Sequence, residues 1–126
     1  MEKQAVQENV PTSLDFDREE LLARVDNDRE LLQDLLRIFK EEFPKQLQAL
    51  REAVRFADGE RVAAAAHTMK GMLSNLAAIQ SAASAERLER LGRNAEKQGF
   101  PEALAAFERD ATRLLPQLDA CMEEVC

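Results

Sequence analysis

Residues 28–56, DRELLQDLLRIFKEEFPKQLQALREAVRF, decide the fold. Leu31, Leu32, Leu35, Phe39, Phe43, Leu47, Leu50 and Val54 recur in steps of three and four, which lays one apolar stripe along a helix. Asp28 stands where an N-cap belongs. Pro44 falls inside the stripe, where it lacks an amide donor and crowds the carbonyl of Lys40. The stripe keeps its phase beyond the proline, so the spacing predicts a kink there and not a stop. Asp58-Gly59 predicts the turn that ends this helix.

Outward from this stretch the pattern repeats. Asp17, with Glu20 three residues on, reads as a capping box for a short helix over about 17–25, carrying Leu21, Leu22 and Val25. Before it, residues 1–14 are polar and without period, and are expected to be a flexible lead-in or linker. A third helix is predicted over about 60–77 (Val62, Ala66, Met69, Leu73, Leu76) and a fourth over about 80–97 (Ala82, Ala85, Leu88, Leu91), ending at Gln98-Gly99. Pro101 suits the first turn of a fifth, about 101–124, with Leu104, Phe107, Ala111, Leu114, Leu115, Leu118 and Met122. Pro116 is expected to bend that helix or to mark its weaker end. Short connections favour antiparallel neighbours. The expected fold is all-α: an antiparallel up-down four-helix bundle with a short additional N-terminal helix, one domain over 15–126.

Composition agrees with this reading. The 126 residues suffice for one ordinary domain. Four Gly, four Pro and neither Trp nor Tyr leave little for a many-turned β fold. No apolar run approaches the roughly 18 residues of a membrane span, and Met1–Val10 is polar where a signal peptide has its apolar core. Seventeen Lys and Arg against 24 Asp and Glu give a net charge of −7, which disfavours nucleic-acid binding. Cys121 and Cys126, five apart, match neither a zinc pair nor a redox CxxC, and a reducing cytoplasm is the expected location.

Enzyme constellations fail. The one histidine cannot supply HExxH or a multi-His metal site, and no GxxxxGK[ST] or GxGxxG loop is present to hold a nucleotide. The chain is therefore not a self-contained kinase, and no cofactor or metal is expected on it. The informative segment is 62–76. At about 100° per residue, Val62, Ala66, Met69, Leu73 and Leu76 fall within about 40° of one direction, while His67 lies about 140° away, with Ala63, Lys70, Gly71 and Ser74 beside it. The helical neighbours of His67 at i−4, i−3 and i+4 are Ala63, Ala64 and Gly71. Gly71 costs the helix about 1 kcal/mol relative to Ala, which suggests that space beside the imidazole is kept clear. Geometry alone leaves two readings open, a solvated surface histidine or an exposed functional imidazole.

The run Ala66-His67-Thr68-Met69-Lys70-Gly71, with Asn75-Leu76 and Ala78 downstream, resembles the signature of histidine-containing phosphotransfer (HPt) domains, roughly A-H-x-L-K-G, small residues, then N-L-G-A. The likeness extends over about 15–124: a short leading helix, a long second one with a Phe and a Pro near its middle, and a D-G turn before the histidine helix. Met69 replaces the usual Leu at nearly constant volume. Ala77 stands where the family often has Gly, so the chain is expected to leave this helix differently. Met72 and Leu73 replace small residues; Leu73 falls in the core stripe, and Met72 on the flank widens an apolar contact surface.

The resemblance implies a phosphorelay intermediate. His67 would accept a phosphoryl group from a receiver-domain aspartate and donate it to another, as suits an imidazole whose ordinary pKa of about 6.5 keeps a neutral nucleophile abundant. Lys70 would stabilise the phosphoryl oxygens by charge, and Gly71 would give the partner room. Ser74 is assigned a supporting role, bonding the phosphate or holding the ring, and Asn75 supports the bundle turn. Partner docking is expected around the first helix and the His67 face, through Leu14, Phe16 and Met72. Phe16 reads equally as a bundle-end plug or as the N′ residue of a hydrophobic staple. Arg87, Arg90 and Arg93 read either as a solvated face or as flanks of the site. The receiver would bring the magnesium ion, and the chain would be a monomeric phosphoryl carrier and not an enzyme. Expected partners are response-regulator receiver domains and a hybrid sensor kinase, with no nucleic acid and no direct membrane contact. The chain is also compatible with being the C-terminal module of such a kinase, and that parent with being membrane-anchored. Competing readings are a non-catalytic helical adaptor or dimerisation bundle and a histidine-kinase dimerisation domain. The latter normally uses two long helices and has an acid directly after the histidine, where this chain has Thr68.

Overall fold

The computed structural model describes residues 15–125. The expected lead-in over 1–14, Leu14 included, and Cys126 lie outside the described residues. Five α-helices follow in order: α1 Arg18–Arg24, α2 Arg29–Arg55, α3 Gly59–Asn75, α4 Ile79–Arg93 and α5 Phe100–Val125, with a 3-10 turn at Lys97–Gly99 before the last. No strand occurs among the described residues.

Three aspartates start three helices. Asp17, Asp28 and Asp58 hold extended backbone, and each side chain accepts a hydrogen bond from the amide three residues on: Glu20 at 3.1 Å, Leu31 at 3.1 Å and Arg61 at 3.2 Å. Each such cap contributes about 1 kcal/mol. The capping box at Asp17 closes on one side only. Glu20 turns to pair with Arg24 at 2.9 Å, and the Asp17 amide donates to the Ala77 carbonyl at 2.9 Å, tying α1 to the α3–α4 turn. α2 runs unbroken through Pro44 and α5 through Pro116; both prolines are exposed, so neither missing amide leaves a carbonyl stranded in the core.

α1 breaks at Asp26-Asn27, as the sequence implies, while the exits of α2, α3 and α4 differ from expectation. α1 to α4 leave through left-handed residues that are not glycine: Asp26 and Asn27 (φ 55° and 56°), Ala57 (52°), Ala77 (55°) and Ala95 (55°). Paired bonds close each exit, as where the Ala77 amide donates to Ser74 O and the Ala78 amide to Leu73 O. Ala77 thus takes the conformation a glycine would take there, at a cost of about 1 kcal/mol. The expected turn at Asp58-Gly59 is corrected accordingly: Ala57 makes the turn, and Gly59 opens α3. α4 ends at Arg93 and not near 97, because Asn94-Ala95 already closes the exit, and Gln98-Gly99 belongs to the 3-10 turn.

Each of the four long helices packs on the next in chain order, and α5 closes on α2. Their apolar faces meet in one core that includes Leu32, Leu50, Val62, Met69, Leu73, Leu88, Phe107 and Leu114. Phe43 bridges Phe39 and Phe107, with ring centroids 5.0 and 6.3 Å apart. Phe16 and Leu21 are buried in the same core. Asp15 is also buried. Its carboxylate accepts from Arg113 Nε at 2.7 Å and Gln117 Nε2 at 3.2 Å, which clasps this end of the chain to α5. No helix of the described residues is long and apolar enough to cross a membrane.

Candidate functional site

α3 and α4 cross closely because glycine meets glycine. A Cβ on Gly92 would lie 2.7 Å from both Gly59 O and Ala63 N, and one on Gly59 would lie 2.6 Å from Gly92 O. No side chain larger than hydrogen fits this contact without moving backbone. One turn along α3 from Ala63 stands His67, and one turn back along α4 from Gly92 stands Glu89. The crossing sets these two residues face to face.

The His67 side chain is 64% exposed, whereas that of Glu89 is 2% exposed. His67 Nδ1 lies 3.0 Å from Glu89 Oε2. Lys70 Nζ lies 3.0 Å from Oε1, and Arg93 pairs with Oε2 from the end of α4. Burial by itself would push the Glu89 carboxyl up. The bonds from Lys70 and His67 and the charges of Arg93 and Lys70 outweigh it and hold the carboxyl below its ordinary range. Glu89 is therefore a carboxylate and can only accept, so the proton of a neutral His67 sits on Nδ1. Nε2 then carries the lone pair on the outward edge of the ring.

Gly71, one turn on from His67, is exposed, and a Cβ there would meet nothing within 4 Å. Nothing inside the protein requires this glycine. Thr68 folds its hydroxyl back onto the Ala64 carbonyl at 3.2 Å. Met72 is half-buried and lines, with Leu35, Ile38, Phe39, Thr68 and Asn75, an apolar groove between α2 and α3. Ile38 is 51% exposed there.

The structure thus brings His67, Lys70 and Gly71 to one surface. It does not bring Ser74 to the ring, which stands seven residues or about 10.5 Å along the axis. The Ser74 carbonyl instead accepts from Arg24 of α1. Asn75 ends α3 and is exposed. Phe16, 5% exposed, is a core plug and not a surface contact. Glu89 and Gly92 were not singled out from sequence as site residues, and Arg93 only as one of three arginines on a solvated face or flanking the site. The available signal was helical phase: Glu89 falls within about 60° of the middle of the buried face of α4, where a charge is out of place. Among the described residues no group of three or more His, Cys, Asp or Glu is gathered to hold a metal ion.

Fold and site together define a class, a helical domain with a single, exposed histidine bonded to a buried carboxylate. Residues 34–126 match the Hpt domain family, and the chain belongs to that family. Hpt domains are phosphoryl carriers, not enzymes with a site of their own, and exchange the group with receiver domains in two-component phosphorelays. The crystal structure of histidine-containing phosphotransfer protein B (HptB) from Pseudomonas aeruginosa PAO1 shares the fold, with a TM-score of 0.76 at 24% identity over 92% of this chain and 98% of that one. No curated protein matches the chain in sequence.

Proposed function

We propose that His67 is the phosphoacceptor of a phosphorelay, taking the group from an aspartyl phosphate of one receiver domain and passing it to the aspartate of another. The observation that carries this reading is the bond from His67 Nδ1 to the buried carboxylate of Glu89. In the transfer, the Nε2 lone pair attacks phosphorus and the N–P bond forms. The acyl P–O bond breaks, and its electron pair leaves with the receiver's carboxylate. The Nδ1 proton stays in place, so the ring becomes a phospho-imidazolium with its new positive charge against Glu89. No proton is gained or lost, and the reverse reaction uses the same atoms. Lys70 supplies positive charge for the phosphoryl oxygens. The receiver contributes the magnesium ion.

Gly71 leaves clearance for the receiver's active site, and the groove at Leu35, Ile38 and Met72 receives the receiver's apolar contact surface. We read the ring of helix contacts and short connections as an antiparallel up-down four-helix bundle, a monomeric module over 15–126. Its upstream partner is a receiver domain, free-standing or part of a hybrid sensor kinase, and the module works in the cytoplasm. A plain helical adaptor would use the same core. It would explain neither a buried carboxylate bonded to an exposed imidazole nor a glycine that nothing inside requires.

The test is phosphoryl transfer from a phosphorylated receiver to the purified chain beside His67→Gln. Acid-labile, base-stable label on the wild type alone, with both proteins melting alike, is the expected result. Equal label on both would remove His67 from the role.

A further inference from the structure

We infer that Arg93 binds the phosphoryl group: on phosphorylation of His67, Arg93 from α4 and Lys70 from α3 turn from Glu89 to the phosphoryl oxygens and hold them between two helices. This rests on His67 being the phosphoacceptor. Three observations carry it. Arg93 and His67 Nδ1 share a single oxygen, Glu89 Oε2. Two donors on one acceptor are within about 6 Å of each other, twice an ordinary N···O bond, so the guanidinium stands beside the ring. The Arg93 side chain is 63% exposed and meets Glu89 through Nη2, which leaves the rest of a five-donor fork for an incoming oxyanion. A planar fork suits two phosphoryl oxygens at once, as an ammonium does not.

The third observation is the charge count. With a neutral ring, Glu89 offsets one of its two cations, and the cluster carries one net positive charge. A phosphoryl group brings about two negative charges, and the ring it joins gains one positive. The phosphorylated cluster is then neutral. With Lys70 as the only cation it would be left one charge negative, against a carboxylate that is already buried. Arg93 closes the balance. Its place at the C-terminal end of α4 would also favour any cation through the helix dipole, and that role predicts a stability effect with no effect on the phosphoryl group.

Phosphoramidate, a small phosphoryl donor that needs no receiver, is used to label wild type, Arg93→Gln, Arg93→Lys and Arg87→Gln. Arg87 is on the same helix but faces Glu102 on α5, so its variant controls for lost charge. Phosphorus NMR then follows the titration of the phosphohistidine group in each. Loss of a cation in contact raises the midpoint of the phosphoryl titration by about 1 in Arg93→Gln. Arg93→Lys recovers most of the difference, and Arg87→Gln coincides with wild type. A midpoint in Arg93→Gln equal to wild type overturns the inference, whatever its melting temperature. So does an equal displacement in Arg87→Gln. A wild type that takes label at His67 from neither phosphoramidate nor a receiver overturns the phosphocarrier reading, and the inference with it. Labelled wild type with coincident titrations overturns the Arg93 inference alone.

Discussion

At position 71 the helix forgoes about 1 kcal/mol of propensity, and no neighbour occupies the space this opens. That combination suits a residue on an external surface, and Ile38, half-exposed, stands across the groove from Met72, the residue after Gly71. Gly71→Ala is expected to melt at or slightly above the wild-type temperature, and Ile38→Asp near it. Both should slow transfer from a receiver at least several-fold while leaving labelling by phosphoramidate unchanged. Transfer at the wild-type rate in both would place the receiver elsewhere. His67, Lys70 and Gly71 were legible as one face because helical period alone decides which way a residue points. Glu89 was not, because whether a carboxylate on α4 is buried depends on how α3 and α4 cross, where Gly59 meets Gly92. Arg93 was legible as an arginine near the site but not as one that shares an oxygen with His67.

The elements were legible where a side chain marks their start. Asp17, Asp28 and Asp58 each cap the helix that follows. Their ends were harder to read, because Ala57, Ala77 and Ala95 adopt the left-handed conformation with no glycine to signal it. The glycines at 59 and 92, read from sequence as turn or unremarked, serve the contact between α3 and α4. Gly92→Ala would place a methyl 2.7 Å from two backbone atoms. Overpacking of this kind costs about 1–3 kcal/mol, so the melting temperature should fall by roughly 5–10 °C. Transfer should slow as well, since Glu89 lies one turn away and moves with α4. An unchanged melting temperature would mean that the two helices do not depend on this contact for their spacing.

For the whole molecule, the depressed carboxyl of Glu89 makes stability depend on acid. A folded-state pKa below the unfolded value of about 4.3 adds stability that is complete above that value and lost as pH falls through the folded one. Wild type should therefore lose more of its melting temperature between pH 7 and pH 3 than Glu89→Gln does, with the difference confined to the interval below about pH 4.5. Parallel losses in the two proteins would show that the carboxyl is not depressed. The fold also routes mechanical load. α1 has seven residues, too few to stand as a helix unaided. It is held at Asp15 by Arg113 and Gln117 and at the end of α3 by the bonds to Ala77 and Ser74. Tension applied to the chain before residue 15 is borne first by the Asp15 clasp. If that yields, the pull passes along α1, whose Arg18 pairs with Glu124 of α5, to the bonds at the end of the helix that carries His67.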